Sequence, residues 1–479
     1  MRRHISFSCA LLLVLAAAAP IAQQLDRTKA PTPGKVPELK VPTWTTGKLT
    51  NGAQLIVIER RGLPLISFSL TFAGGTNQFE KADKLSVAAF TTAMMREGTK
   101  TRDAEALALA LQLLGTNVGA GIGDESGSVS FLSTTEKFQP TLELMADMLL
   151  NSTFPAPALD RLRAQRLITL ANQNAQPGFI GSRVFSRVLY GTAHPFGQTP
   201  DESTIKAVTR EDVVAFHKEY FQPGRAIVTV VGDIDTAGAR AAVEKALAGW
   251  AAGGTKPAFT YPAVPEPRET TIYLVDRPGS KQSVFNIGLP GPPRNTPDYM
   301  ALQVMNFILG GHFQSRLNAN IREEKGYSYG VNSGFAYGKG PGPFRAGGDI
   351  VSEKTDAALV EFMKELRGIH GGRPITDEEM LTAKDTLIQR LPAQFSSVSA
   401  INSTITSLYL QDLPPDYYQK YAAAVRAVTK EDVLRVAKKY VDLGHLNIVI
   451  VGDRASIEGP LKATAIAPIV MLDAEGVKK

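Results

Sequence analysis

Apolar and polar positions change period several times along the chain, and those changes delimit the elements. Near residue 49 the pattern turns strand-like: Leu55, Val57 and Glu59 oppose Ile56 and Ile58, and a second such run covers 65–72, the period of two expected of strands. Arg60-Arg61-Gly62-Leu63-Pro64 supplies turn chemistry between them. The period then lengthens, predicting helices over 82–95, 103–114, 135–150 and 156–174, with another alternating strand over 126–133. Thr209 with an acid three residues later, Asp212, is a capping-box signature that opens a helix. The short apolar run 227–231 reads as a buried strand ending at Gly232-Asp233.

This last unit recurs. Ala207-Val208-Thr209-Arg210-Glu211-Asp212-Val213, followed by Lys218, Tyr220, Gly224 and Val231-Gly232-Asp233, matches Ala427-Val428-Thr429-Lys430-Glu431-Asp432-Val433, followed by Lys438, Tyr440, Gly444 and Val451-Gly452-Asp453, at one constant displacement. A shared register over capped helix, turn and strand predicts a duplicated domain. Strands and helices in runs, without strict alternation, predict an α+β fold with each sheet covered by helices. The expected division is 44–252 and 270–460 for the two domains, with a Gly/Pro-rich linker over 253–269 and a tail over 461–479 left unassigned.

Composition adds location and exclusions. Arg2 and Arg3 precede an apolar run over 9–19 and an Ala-Pro-Ile-Ala-Gln stretch, the layout of a secretory signal over 1–22 cut near Ala22. The run is short for a bilayer span, so the expectation is export to a periplasm without a membrane anchor. A Pro-, Lys- and Thr-rich flexible leader follows over 23–43. Cys9 is the single cysteine and lies in the signal, so the exported chain has no disulfide, no Cys zinc site and no Cys nucleophile. A net charge of +6 without any basic block argues against a nucleic-acid partner.

Taken in order, Asn51-Gly52, Gly74-Gly75-Thr76, a helix ending at Gly98-Thr99, His194-Pro195-Phe196-Gly197, the two Val-Gly-Asp strand ends, and Arg316-Leu317-Asn318 with Ile321-Arg322-Glu323-Glu324-Lys325-Gly326-Tyr327-Ser328-Tyr329 resemble the M16 (pitrilysin/insulinase-like) metallopeptidase family over nearly the whole exported chain. The resemblance implies two homologous domains, each a mixed β-sheet covered by helices, facing each other across a chamber. In peptidases of the family, His-x-x-Glu-His on a first-domain helix holds zinc and activates water, with a distant glutamate as third ligand. Counting back from Gly98-Thr99 puts that motif on 89–93, where Ala89 and Ala93 replace the histidines and Thr92 the base. The third ligand should fall near Ile168 and Thr169, and 161–200 contains no Asp or Glu. His194, His217, His312, His370 and His445 have no spacing that pairs two on one helix face. No metal or other cofactor is therefore expected in this chain. The same helix carries Arg161, Arg163 and Arg166 without an adjacent acid, read either as a positive cleft or as a solvated helix face.

What the resemblance leaves is a pair. Arg322 and Tyr329 match the residues that, in the family, contact the substrate backbone across the chamber; Gly326 should end the helix, and Tyr327 and Tyr329 should project to one side of the next strand. The competing reading is an ion-paired arginine and core tyrosines. Gly119 and Ala120, in a glycine-rich stretch, match an edge strand that pairs with extended substrate, or else form an ordinary hairpin. His194-Pro195-Phe196-Gly197 is read as structural, and 338–343 as a turn-rich loop. The resemblance implies the noncatalytic subunit of a heterodimeric zinc peptidase acting on peptides, with zinc supplied by a partner chain carrying an intact HxxEH. The alternative is a non-proteolytic binding or assembly protein.

Overall fold

The computed structural model describes residues 39–265 and 268–479; the signal over 1–22 and most of the leader over 23–43 lie outside the described residues. The first half runs β1 (Thr45–Lys48), β2 (Gln54–Glu59), β3 (Leu65–Ala73), α1 (Val87–Met94), α2 (Ala104–Leu114), β4 (Gly119–Ile122), β5 (Ser126–Thr134), α3 (Phe138–Leu150), α4 (Ala156–Asn174), α5 (Pro177–Tyr190), α6 (Arg210–Tyr220), β6 (Ala226–Gly232) and α7 (Thr236–Ala246). The second runs β7 (Thr271–Asp276), β8 (Gln282–Pro290), α8 (Tyr299–Leu309), β9 (Ser328–Phe335), β10 (Pro343–Val351), α9 (Thr355–Arg367), α10 (Asp377–Arg390), α11 (Val398–Leu410), α12 (Tyr417–Ala427), α13 (Lys430–Tyr440), β11 (Asn447–Gly452), α14 (Arg454–Ala463) and β12 (Ile469–Leu472).

Two six-stranded mixed sheets result, ordered β1-β2-β6-β3-β5-β4 and β12-β7-β11-β8-β10-β9. The orders correspond position by position. The repeated motif explains part of this: Thr209 and Thr429 each cap their helix by accepting from the backbone N–H of Asp212 or Asp432, while those carboxylates accept the threonine N–H in return. The outermost strands differ in origin. β1 precedes β2 and runs antiparallel to it, whereas β12 comes from the C-terminal tail and runs parallel to β7. The unassigned tail thus completes the second sheet.

Each sheet buries one face under its own helices. In the first, Phe68, Leu70 and Phe72 of β3 join Val129 and Phe131 of β5 beneath α1, α3 and α6; in the second, Phe285 and Ile287 pack with Phe344 beneath α8 and α9. The opposite faces are covered by exchange. α5 of the first half lies on β8 and β11, and α11 of the second half lies on β3 and β6, strands that hold matching places in the two sheets. Ile180, Val184, Phe185 and Leu189 of α5 form an apolar cluster with Tyr273, Val284, Val449 and Val451. Gly181 permits the close approach, since a Cβ there would lie 2.8 Å from Asn286 Nδ2. This exchange ties residues Val41–Lys479 into one compact unit. No helix among the described residues is long and apolar enough to cross a membrane.

Candidate functional site

The three positions that the resemblance aligns with the zinc motif lie on α1. Ala89 is exposed and Ala93 half-buried, one turn apart, while Thr92 is buried. The Thr92 hydroxyl donates to Ala88 O at 3.1 Å and Ala89 O at 3.2 Å, committing it to its own helix. Across from α1, on α4, Ile168 is exposed, and Thr169 Oγ1 donates to Gln165 O at 2.9 Å. No set of three His, Cys, Asp or Glu residues able to hold a metal occurs among the described residues. Methyl groups and a back-bonded hydroxyl do not fit zinc.

The arginines of α4 require a correction. Arg163 has an acid on its own helix, Asp160, at 2.6 Å, and also donates to Val208 O. Arg161 pairs with Glu97 of the neighbouring segment at 2.6 Å. An acid three residues earlier satisfies the first, and tertiary packing the second. Arg166 instead lines a cavity of about 350 Å³ with Asn77, Glu80, Ser86, Ala89 and Asp124. Burial pushes the Glu80 carboxyl up to about 7, although it accepts from Ala88 N at 2.8 Å and Arg166 pulls the other way. Sequence reading missed Glu80, because a charged residue in the stretch Glu80-Lys81-Ala82-Asp83-Lys84 looks like solvated loop.

Gly119 and Ala120 lie in β4, at the end of the first sheet. β4 pairs with β5 through Gly119↔Ser130, Ala120↔Val129, Gly121↔Ser128 and Ile122↔Gly127 and has no neighbour on its other side among the described residues. A Cβ at Gly121 would meet nothing within 4 Å, and one at Gly119 nothing nearer than 3.8 Å. Arg96 fixes the approach to this strand by donating to Asn117 Oδ1 and Val118 O. An unpaired, glycine-rich edge is a template for a further strand. It borders a cleft of about 830 Å³ between the first sheet and α11.

Arg322 and Tyr329 lie on two adjoining backbone irregularities of the second half. Arg322 sits in a π-helical turn, Ala319–Glu324, closed by Gly326 at φ +66° with Lys325 N donating to Asn320 O at 3.0 Å. Its guanidinium pairs with Glu323 and stands 4.1 Å from the Phe313 ring centroid. β9 is the free edge of the second sheet. Its register against β10 shifts between Val331↔Gly348 and Ser328↔Ile350, so Tyr329 and Gly330 together oppose Asp349 in a β-bulge. Ser328 Oγ stabilises it by donating to Asp349 O at 2.7 Å and accepting from Gly330 N at 3.0 Å. Ser328 and Val331 are buried, and Tyr329 is 91% exposed. The expectation that Tyr327 and Tyr329 project together is corrected: Tyr327 precedes the strand and packs against the second core, while the bulge turns Tyr329 outward. π-turns and β-bulges concentrate at functional sites.

The other motifs are scaffolding. His194 is buried, accepts from Phe196 N at 3.1 Å and stacks on Tyr261. The 338–343 loop has a partner that was not foreseen: the Glu125 carboxylate accepts from Lys339 N at 2.6 Å, from Gly340 N at 2.9 Å and from the Tyr261 hydroxyl, fastening β4–β5 to β9–β10.

Residues 66–193 match the family described as Insulinase (Peptidase family M16), and residues 207–387 the Peptidase M16 inactive domain. The chain is 22% identical over 412 residues, 84% of its own length and 93% of the other, to a protein named non-peptidase homolog YmxG of Helicobacter pylori. It is 22% identical over 402 residues, 83% and 94% of the two lengths, to an uncharacterized zinc protease of Rickettsia felis. Among solved structures, a peptidase M16 inactive domain from Pseudomonas fluorescens superposes with a TM-score of 0.78 at 28% identity, covering 85% of this chain and 98% of that one.

Proposed function

The chain belongs to the M16 peptidase family, and from that premise we propose that it is the noncatalytic, substrate-binding subunit of a heterodimeric zinc peptidase of the periplasm. Zinc, base and attacking water come from a partner chain with an intact HxxEH motif. The observation that carries this reading is Tyr329: a bulge held by Ser328 presents its hydroxyl to solvent, next to a π-turn that presents Arg322. Arg322 supplies guanidinium N–H donors to a peptide carbonyl, and Tyr329 a hydroxyl donor near a developing oxyanion in the partner's site. Gly119 and Ala120 offer backbone groups to the same extended peptide. The absence of ligands at Ala89, Thr92 and Ala93, and the name of the Helicobacter pylori relative, support a role without hydrolysis by this chain alone.

The test is peptide hydrolysis by this chain, by its zinc-bearing partner and by the mixture, with zinc measured in each. Activity confined to the mixture is expected. Arg322→Ala should lower it on the order of 100-fold, and Tyr329→Phe about 10-fold or more, with assembly unchanged by sedimentation. No gain on mixing overturns this reading in favour of a binding or assembly protein.

A further inference from the structure

The cleft beside β4 has a composition that sets it apart. None of its lining residues is ionisable, although one residue in five of the chain is charged, 20%. One wall is β5, where the alternation brings Ser128 and Ser130 to the cleft face. The other is α11, where Ser399, Ser403 and Ser407 recur every four residues on the exposed face. Among the described residues these five hydroxyls make no hydrogen bond within the protein, while Asn402 and Thr406 on the adjoining face of α11 are fully engaged with the sheet.

We infer that this cleft receives an uncharged stretch of extended polypeptide, and that this subunit thereby excludes charged side chains from the segment lying along β4. The inference rests on the reading of β4 as a peptide-binding edge and adds a substrate class to it. Free hydroxyls both donate and accept, so they satisfy Ser, Thr, Asn and Gln side chains and backbone amides alike. They carry no charge to offset a desolvated ammonium or carboxylate, which is costly to leave unpaired. A polypeptide fits better than a neutral sugar because the rim is a strand: Gly119, Gly121 and Gly123 border the cleft, and the unpaired ladder groups of β4 match an extended backbone and no other polymer.

The experiment is calorimetric titration of the full chain, without partner, with acetylated and amidated decapeptides. One contains Ser, Asn, Gly and Val only; two others carry Lys or Glu at alternate positions; maltohexaose is the sugar probe. The neutral peptide is expected to bind at least ~10-fold more tightly than either charged one. Ser403→Asp, an exposed change on α11, should bring the Lys peptide at least ~10-fold above the Glu peptide. Equal affinities, no measurable binding of the neutral peptide, tighter binding of maltohexaose, or an unchanged preference in Ser403→Asp would each overturn the inference. A mixture that hydrolyses peptides while the three decapeptides bind alike would remove this specificity and leave the subunit reading standing. A silent mixture with the neutral preference intact would do the reverse.

Discussion

The two exchanged helices occupy corresponding places and make opposite kinds of contact. α5 meets the second sheet through Ile180, Val184, Phe185 and Leu189, all apolar. α11 meets the first sheet through polar groups: Ser69 Oγ donates to Asn402 Oδ1 at 2.6 Å, Asn402 Nδ2 donates to Ser67 O and Thr229 O at 3.1 and 3.2 Å, and the Thr229 and Thr406 hydroxyls bond at 2.8 Å. Apolar burial scales with area and fills the space it covers. Directed hydrogen bonds hold a helix at a few points and leave room beside them. The two clefts beside the seams differ in kind: the one of about 830 Å³ beside α11 and the glycine-rich edge β4 has no ionisable lining, whereas the one of about 660 Å³ beside α5 is lined by Arg187, Lys439 and Asp442 among others.

The seams should respond differently to truncation. Phe185→Ala removes a buried ring from the apolar seam and is expected to cost about 3–5 kcal/mol in a denaturant titration, the largest effect of any single change considered. Asn402→Ala leaves the Ser69 hydroxyl buried without its acceptor and should cost about 2 kcal/mol. A larger loss at Asn402 than at Phe185 would mean that the polar seam carries the cohesion and would break the comparison.

What could be read in the chain follows the same division between local and distant causes. The capping boxes at Thr209 and Thr429 and the β5 alternation were legible because each depends on neighbours in sequence, whereas the edge position of Gly119 came only from the family resemblance, with a hairpin left open beside it. The helix exchange was not: α5 reads as an ordinary amphipathic helix, and nothing local says that Val184 faces the strands of another half. The role of the tail in β12 depends on an exposed β7 edge far upstream. Ala89, Thr92 and Ala93 were placed only through the family resemblance, counted back from Gly98-Thr99, and the outward turn of Tyr329 depends on a bulge whose cause, Ser328 bonding to Asp349, spans two strands. Glu80 was missed because its burial is entirely tertiary.

Titration offers a sharper test, because two half-buried groups of the first half, Glu80 and His217, are shifted in opposite directions. His217 is held down to about 4 by burial, and the corresponding position of the repeated helix α13 is Ala437. Below its unfolded pKa near 6.5 the unfolded chain binds a proton that the folded protein refuses, so this group removes stability as pH falls from about 6.5 to 4. Glu80, raised from 4.5 to about 7, works the other way: the folded protein keeps a proton that the unfolded chain releases, so stability is lost as pH rises from 4.5 to 7. Each amounts to about 2 kcal/mol between pH 5 and 7, and in the wild type they offset each other. Glu80→Gln should unmask the histidine, with stability rising by about 2 kcal/mol over that interval in denaturant titrations at the two pH values. A flat profile in the variant would show that the folded protein does not hold His217 neutral over that interval.

The smallest effect concerns the entrance to α1. Ser86 has φ +88° and is buried. Left-handed backbone at a residue with a Cβ costs roughly 1–2 kcal/mol. Glycine would remove that cost, while losing about 0.4–1 kcal/mol through a freer unfolded chain. Ser86→Gly is therefore expected to stabilise by up to about 1 kcal/mol, measured as a shift in denaturation midpoint at constant slope. The segment leading into α8 in the second half contains no positive-φ residue, so no substitution there should gain stability by this route. The strain sits three residues before Ala89, at the entrance to the helix that the family resemblance aligns with the zinc motif. If Ser86→Gly is neutral or destabilising, the conformation is supported by its surroundings, among them the Glu80 cavity, and the first half keeps that geometry for a reason of its own.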